Sequence, residues 1–393
     1  MIINSRSDKI LIVYWLDHPS QLDVPLFRYL TSDSGVDLLV IYCSSPGRDL
    51  LPEDKEIERK PIWDFGLFEG YSYITIGSSF IDGLRSVIKY SNKNNNFFGI
   101  MAGTNKPAFL GVIVGSLICK ADIMVRYDST LNYITGTPSI RQKLKKYLLP
   151  LFLSQITYLG YTGKWARAYL ENYGATERQL FWFPYTIDNQ MFEDAIRQAG
   201  PLKEKLRNEM MININAMVFL VIAKFNVREA PMDAIKAFNL MNDPNTSLIV
   251  VGDGPQMSEI RELVAENVNE NIHLVGYVSY SNLPKYYASA DVFIHPAHNE
   301  CWGASVNEAM VCELPVIAAD MVGAAADLVS HGVNGYIYPH GDINSLCGFM
   351  KQCVTNRTNL PVMGRHSKNM MDAWGAMTTS QRLINFIIEC TGA

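Results

Sequence analysis

The chain has 393 residues, 48% of them hydrophobic and 19% charged, with a formal net charge of -5. That balance excludes a disordered polymer and gives no overall reason to bind nucleic acid. The length suits two ordinary domains, each with its own core.

Taken in chain order, strands and helices alternate. KILIVYWL (9–16) is a compact apolar strand, followed by the helical VPLFRYLTS. VDLLVIYCS (36–44) and FFGIMAG (97–103) are further buried strands, and KPAFLGVIVGSLICK after them reads as a helix. DIMVRYDS (122–129) is the fourth strand. After FPYTID (183–188) the alternation pauses, and residues 190–215 are charged and helical. A second series follows: AMVFLVIAK (216–224), TSLIVVGDGP (246–255), NIHLVGYV (271–278), ADVFIHPA (290–297) and LPVIAAD (314–320). Continuous apolar strands between helices indicate parallel sheets covered on both faces. The expected fold class is α/β, with two Rossmann-like doubly wound domains, 1–195 and 196–375. A last amphipathic segment, 376–393, is expected to pack back on the first domain. Ligands of open parallel sheets bind beyond the carboxyl ends of the strands, so a ligand in a central cleft between facing domains is expected.

Seven cysteines, with no C-x-x-C pair, argue against a disulfide framework and a structural zinc site. A cytoplasmic, reducing setting fits. The N-terminal stretch lacks the features of a signal peptide. The apolar runs 107–119 and 147–161 are shorter than the ~20 residues that cross a bilayer.

The stretch HPAHNECWGASVNEAM (295–310) holds His295, His298, Glu300 and Cys301 within a few positions. A zinc site needs ligands that converge, and a strand end followed by Pro296 does not place residues three apart on one face. Glu300 and Glu308 are eight apart, a spacing that sets two residues on one side of a helix. Gly303 marks a close backbone approach, and a helix starting there would offer N–H groups to an anion. Spacing alone does not separate this from a solvated pair of carboxylates.

The longer run decides. ADVFIHPAHNECWGASVNEAMVCELPVIAAD, with LIVVGDGP and NIHLVGYVSYSNLPKYYASADVFIHP before it, resembles the sugar-nucleotide domain of family-4 retaining glycosyltransferases of GT-B fold. Their signature is a glutamate, seven residues, and a second glutamate. The resemblance is strong over residues 216–345. It is weaker around HPSQLDVPLFRYL, WDFGLFEGY and PYTIDNQMF.

This resemblance implies retaining transfer of a hexose-type sugar from a UDP- or GDP-linked donor to a hydroxyl of a glycan, glycolipid or lipid-linked acceptor, with no metal or other cofactor. Glu300 would contact donor-sugar hydroxyls, and Glu308 the ribose. Trp302, Gly303 and Ala304 would present backbone N–H groups to sugar or diphosphate, with His298 near the sugar. Tyr277 and Val278 would lie against the base, and Gly252 and Gly254 would shape the turn beside the donor. Lys224 matches the family's first phosphate-binding cation. The second cationic position holds Glu229, with Arg228 beside it, which is a departure from the family. A carboxylate there would repel a diphosphate unless Arg228 turns inward or Glu229 pairs with a cation.

On the acceptor side the candidates are His18, Ser20, Asn105, Lys106, Arg126 and Asp128, all in loops after strands. The mid-domain histidine of many relatives is missing, since none lies between His18 and His273. The basic, apolar stretch 139–155 is a candidate for peripheral contact with an anionic membrane, against the plainer reading of a solvated cationic face over a core-facing apolar one. A sugar-nucleotide epimerase, a phosphorylase or a non-catalytic nucleotide-sugar-binding protein would use the same architecture.

Overall fold

The computed structural model describes residues 9–44, 54, 56, 64–92, 96–103, 106–131, 140–265 and 270–392. The chain forms two compact units. Unit 1 comprises Met1–Pro52, Gly66–Thr186 and Trp374–Ala393, and unit 2 comprises Glu53–Phe65 and Ile187–Ala373.

Unit 1 contains β1 (Ile10–Leu16), α1 (Val24–Ser32), β2 (Val36–Cys43), β3 (Ser72–Ile76), α2 (Phe80–Ser91), β4 (Phe97–Ala102) and α3 (Pro107–Cys119). It continues with β5 (Ile123–Tyr127), α4 (Ile140–Leu153), β6 (Tyr158–Tyr161), α5 (Lys164–Asn172) and β7 (Leu180–Trp182). Among the described residues its sheet has seven parallel strands in the order β3-β2-β1-β4-β5-β6-β7.

Every residue of β1 is buried, as a central strand covered on both faces requires. Alternate side chains serve opposite layers. Leu11, Val13 and Trp15 join Val87, Phe109, Val112, Leu153 and Leu170 from α2 to α5. Tyr14 faces the other way, its ring 5.0 Å from Phe27 of α1.

Unit 2 begins with α6 (Asn189–Arg197) and α7 (Ala199–Glu209), then β8 (Met217–Ile222), α8 (Pro231–Met241), β9 (Thr246–Val251), α9 (Met257–Ala265) and β10 (Ile272–Gly276). Next come α10 (Pro284–Ser289), β11 (Val292–His295), α11 (Ala304–Val311), β12 (Val316–Ala319), α12 (Gly323–Leu328), β13 (Gly335–Tyr338), α13 (Ile343–Thr355) and α14 (Leu360–Met371). Among the described residues its sheet has six parallel strands in the order β10-β9-β8-β11-β12-β13.

The division falls after Thr186, ahead of the 195/196 boundary expected from sequence. The reason is α6, whose buried Phe192 packs its ring 5.7 Å from Tyr287 and 6.0 Å from Tyr280 of unit 2. The last helix, α15 (Ala376–Thr391), lies in unit 1, where Phe386 sits 4.5 Å from Phe181 and 4.9 Å from Tyr158.

Candidate functional site

The sheet of unit 2 reverses its direction of growth between β8 and β11. Ligands of open parallel sheets settle beyond the strand ends at such a point. The loops that follow these two strands carry Lys224, Arg228, His298, Glu300, Trp302 and Gly303.

The loop after β8 is locked to the β9 turn. Phe225 donates its N–H to Asp253 O at 2.9 Å and accepts from the Gln256 N–H at 2.9 Å. A Cβ on Gly252 would come within 1.9 Å of Ala223 O, and one on Gly254 within 2.7 Å of Phe225 O. These glycines therefore permit a backbone approach that fixes the loop carrying Lys224 and Arg228.

Both cations converge on Glu56, for which the sequence held no local signal. Lys224 Nζ donates to Glu56 Oε2, and Arg228 Nη2 donates to the same oxygen at 3.1 Å. Arg228 Nε reaches Glu56 Oε1 at 3.2 Å, and Asp54 lies 2.9 Å from Lys224 Nζ. Burial alone would raise the Glu56 carboxyl, but Lys224 and Arg228 outweigh it and hold its pKa below the usual value.

Arg228 also donates to Glu300 and, at 3.3 Å, to Asn299 O. Glu229 turns into the unit and is 8% exposed. It accepts the Lys224 backbone N–H at 2.6 Å and pairs with Arg228 Nη2 at 2.8 Å. Burial, then the nearby Glu300 charge, push its carboxyl up to about 7.

The loop after β11 is pinned on both sides. The His298 N–H donates to Arg228 O at 2.8 Å, the Glu300 N–H to Met321 O at 3.0 Å, and the Gly323 N–H to Glu300 O at 2.9 Å. Glu300 forms a parallel bridge with Val322. It is therefore a loop residue, and only Glu308 is helical, so the expectation of one shared helical face does not hold. Gly303 is the cause. Its φ of +93 turns the chain just before α11, and a Cβ there would lie 3.0 Å from His295 Nε2.

The first turn of α11, from Ala304, has no side-chain cap and no acidic residue. Its N–H groups and positive dipole end therefore suit an anion. Trp302 is buried beside it, Nε1 donating to Asn307 Oδ1 at 2.9 Å. Glu308 is 5% exposed and accepts the Tyr287 hydroxyl at 2.6 Å. Burial pushes its carboxyl up to about 7 against the opposing pull of that hydrogen bond.

The two histidines have separate partners. His295 is 3% exposed, with Nδ1 3.2 Å from Ser305 Oγ and Nε2 without a hydrogen-bond partner. Burial lowers its pKa to about 4. His298 Nε2 meets Asp233 Oδ2 at 2.5 Å. Among the described residues no group of three or more His, Cys, Asp or Glu could hold a metal ion. Tyr277 and Val278 follow Gly276 at the end of β10 and are half-buried.

In unit 1 the reversal lies between β1 and β4. Lys106 Nζ pairs with Asp17 there and donates to Cys43 O at 2.8 Å. His18 is exposed, 3.8 Å from the Asp17 carboxylate. Ser20 builds the turn into α1, its Oγ accepting the Leu22 N–H at 3.0 Å.

Arg126, expected in a loop, lies within β5, where it is buried and bonded to Asp23 at 2.7 Å and to Pro184 O at 3.1 Å, with the Tyr185 ring 4.2 Å away. Asp128, at the surface, accepts the Tyr185 hydroxyl at 2.8 Å. The structure thus gathers His18 and Lys106 around Asp17, and Arg126 and Asp128 around Tyr185. Asn105 lies outside the described residues.

Residues 203–370 match the family model for glycosyl transferases group 1. The 2-deoxystreptamine N-acetyl-D-glucosaminyltransferase of Niallia circulans is 29% identical over 121 residues, 30% of this chain and 31% of that enzyme. The alpha-monoglucosyldiacylglycerol synthase of Acholeplasma laidlawii is 26% identical over 171 residues, 42% of this chain and 41% of that enzyme. The chain thus spans less than half the length of either relative. Anabaena HepE, solved in complex with UDP, superposes with a TM-score of 0.73 at 15% identity, covering 97% of this chain and 100% of that one. At that identity the likeness speaks for the fold.

Proposed function

We propose that this chain, with the fold of the GT-B glycosyltransferases and a match to glycosyl transferases group 1 over residues 203–370, moves a hexose-type sugar from a UDP- or GDP-linked donor to a hydroxyl acceptor, with retention and without a metal. One observation carries the reading. Two cations from one loop meet a single anionic oxygen, that of Glu56, at the strand-end reversal of unit 2 and beside Glu300. The donor diphosphate takes the place of that carboxylate. Lys224, Arg228 and the amino end of α11 stabilise the charge that grows on it as the bond to the sugar breaks.

Glu300 contacts the sugar hydroxyls, Glu308 the ribose, and Tyr277 the base. The acceptor oxygen bonds to the anomeric carbon on the face the diphosphate leaves, and a diphosphate oxygen takes the acceptor proton. No protein nucleophile is required.

His18 and Lys106 are the acceptor-side groups that stand together in unit 1. A glycan, glycolipid or lipid-linked acceptor is the reading favoured by α4. Leu144, Tyr147, Leu148 and Leu151 form a stripe along it and are 53%, 71%, 60% and 67% exposed. Lys145 and Lys146 are exposed beside them. Leu149, Phe152 and Leu153 of the same helix face the core, so this exposed stripe is a second apolar face turned outward, as suits a helix lying on an anionic monolayer. No helix among the described residues is long and apolar enough to cross a membrane. The seven free cysteines suit a reducing, cytoplasmic compartment.

Thermal-shift titration with UDP-glucose, UDP-N-acetylglucosamine and GDP-mannose tests the donor. Stabilisation by one of them, unchanged by EDTA, is expected. Stabilisation by none, or turnover abolished by chelation, sinks the reading. The anomeric configuration of the product, read by NMR, decides retention.

A further inference from the structure

Glu229, at the position where a second cation is expected, raises a physical problem that the geometry resolves. A carboxylate stands next to the cations of an anion site, yet it is not aimed at the anion. One oxygen, Oε2, receives the Lys224 backbone N–H at 2.6 Å, and the other, Oε1, faces Arg228 Nη2 at 2.8 Å. That same Nη2 meets Glu56 Oε2 at 3.1 Å, so the guanidinium stands between the two carboxylates. The Glu229 N–H is itself tied to Asn226 Oδ1 at 2.9 Å, and Ala230 follows with φ +49, which fixes the loop around it.

We propose that Glu229 is a positioning residue: a buried carboxylate that holds the Lys224 backbone and the Arg228 guanidinium in register, so that both cations reach one phosphate oxygen of the donor. The inference rests on the donor site described above. It makes the arginine the working cation and the glutamate, which stands where the resemblance expects a second cation, its support.

Two physical pictures give opposite results. If Glu229 were only a negative charge near the diphosphate, neutralising it would strengthen donor binding. If it positions the cations, neutralising it weakens binding, because the amide introduced by Glu229→Gln offers Arg228 no ionic partner. Protonation near neutral pH does the same in the wild type, since burial and Glu300 raise the carboxyl to about 7. Donor affinity should therefore fall as pH drops through that value. The groups that face Glu229 are Lys224 and Arg228 on its own loop and Glu300 from the loop after β11, with Glu56 and Asp54 reached through the cations.

The test is calorimetric titration of UDP-glucose and GDP-mannose, whose diphosphate diesters do not titrate near neutrality, into wild type, Glu229→Gln, Arg228→Gln and the double variant. Circular dichroism checks folding. Glu229→Gln is expected to lose about tenfold in affinity and turnover and to flatten the acid limb of the pH profile. In the Arg228→Gln background the same change should cost about twofold or less, because the ionic partner is gone and the introduced amide oxygen still accepts the Lys224 N–H.

Equal or tighter binding by folded Glu229→Gln overturns positioning while leaving the donor site standing. So does an equal loss in both backgrounds. Binding of neither nucleotide sugar by wild type overturns both. If Glu229→Gln does not fold, Glu229→Asp in the wild-type and Arg228→Gln backgrounds replaces it, and an equal loss in both refutes the proposal.

Discussion

The two strand-end reversals of this molecule share a topology and differ in charge. In unit 1 the cation Lys106 is matched by Asp17 and a backbone carbonyl. In unit 2, Lys224 and Arg228 are surrounded by Asp54, Glu56, Glu229 and Glu300. Two cations among four carboxylates cannot also accept a diphosphate. With Asp54 and Glu56 withdrawn the charges balance, and the amino end of α11 tips the site toward an anion. The fold supplies the place in both units, and the loop residues decide what chemistry it can host.

Removing the converging cations should separate the two regions most sharply. Arg228→Ala or Lys224→Ala is expected to lower kcat/KM by about 10²–10³-fold. Lys106→Ala in unit 1 should raise acceptor KM by about tenfold or less and leave donor affinity alone. Steady-state kinetics with each substrate varied would show it. Equal losses would erase the distinction between a donor and an acceptor region.

Glu308→Gln should move stability and binding in opposite directions. A buried carboxyl with its pKa raised to about 7 binds more protons folded than unfolded between its usual value of 4.5 and 7. Its contribution to stability therefore declines as pH rises through that window and stays low above it. The amide removes the penalty and still accepts from Tyr287. Stability should rise by on the order of 1–3 kcal/mol at about pH 8 and hardly at about pH 5, while nucleotide affinity falls about tenfold. Denaturant melts at the two pH values and nucleotide titration are the measurements.

A smaller effect is expected at the occupying carboxylate. Glu56→Ala should tighten donor binding about two- to fivefold, more at low salt than at high, because a competing internal anion is removed. Weaker binding would show that Glu56 supports the site instead of blocking it. Smallest is the surface change Leu148→Glu on α4, which should reduce co-sedimentation with anionic vesicles about threefold and leave turnover of a soluble acceptor unchanged.

The central strands were legible because each is a continuous apolar run. β3, β6, β7 and β13 were not. β3 is an edge strand with mixed exposure, β6 hides within the apolar run 147–161, and β7 and β13 are only three and four residues long. In the site, Lys224, Arg228, Glu300 and Glu308 stood out through a resemblance carried by long stretches. Glu56 did not, for its partners lie 168 and 172 residues away and no local pattern marks such a pairing. Tyr287 was missed for a similar reason, since a tyrosine on a short helix gives no sign that it will meet Glu308. The helix expected from Gly303 is α11, and the left-handed Gly303 leaves Glu300 in the loop ahead of it, so the eight-residue spacing does not put the two glutamates on one helical face.

The placement of α15 bears on how the protein is made. Unit 1 is interrupted by unit 2 and resumes at Trp374, whose ring meets Trp182 at 4.9 Å, while Phe386 fills an aromatic pocket of Phe98, Tyr158 and Phe181. Synthesis proceeds from the amino end, so the first unit to begin is the last to close. Until residues 374–392 emerge, those aromatic rings face water or a chaperone while unit 2 already has its full sheet. The growing chain therefore carries an open apolar socket through nearly two hundred codons, and its yield should depend on how well that socket is protected.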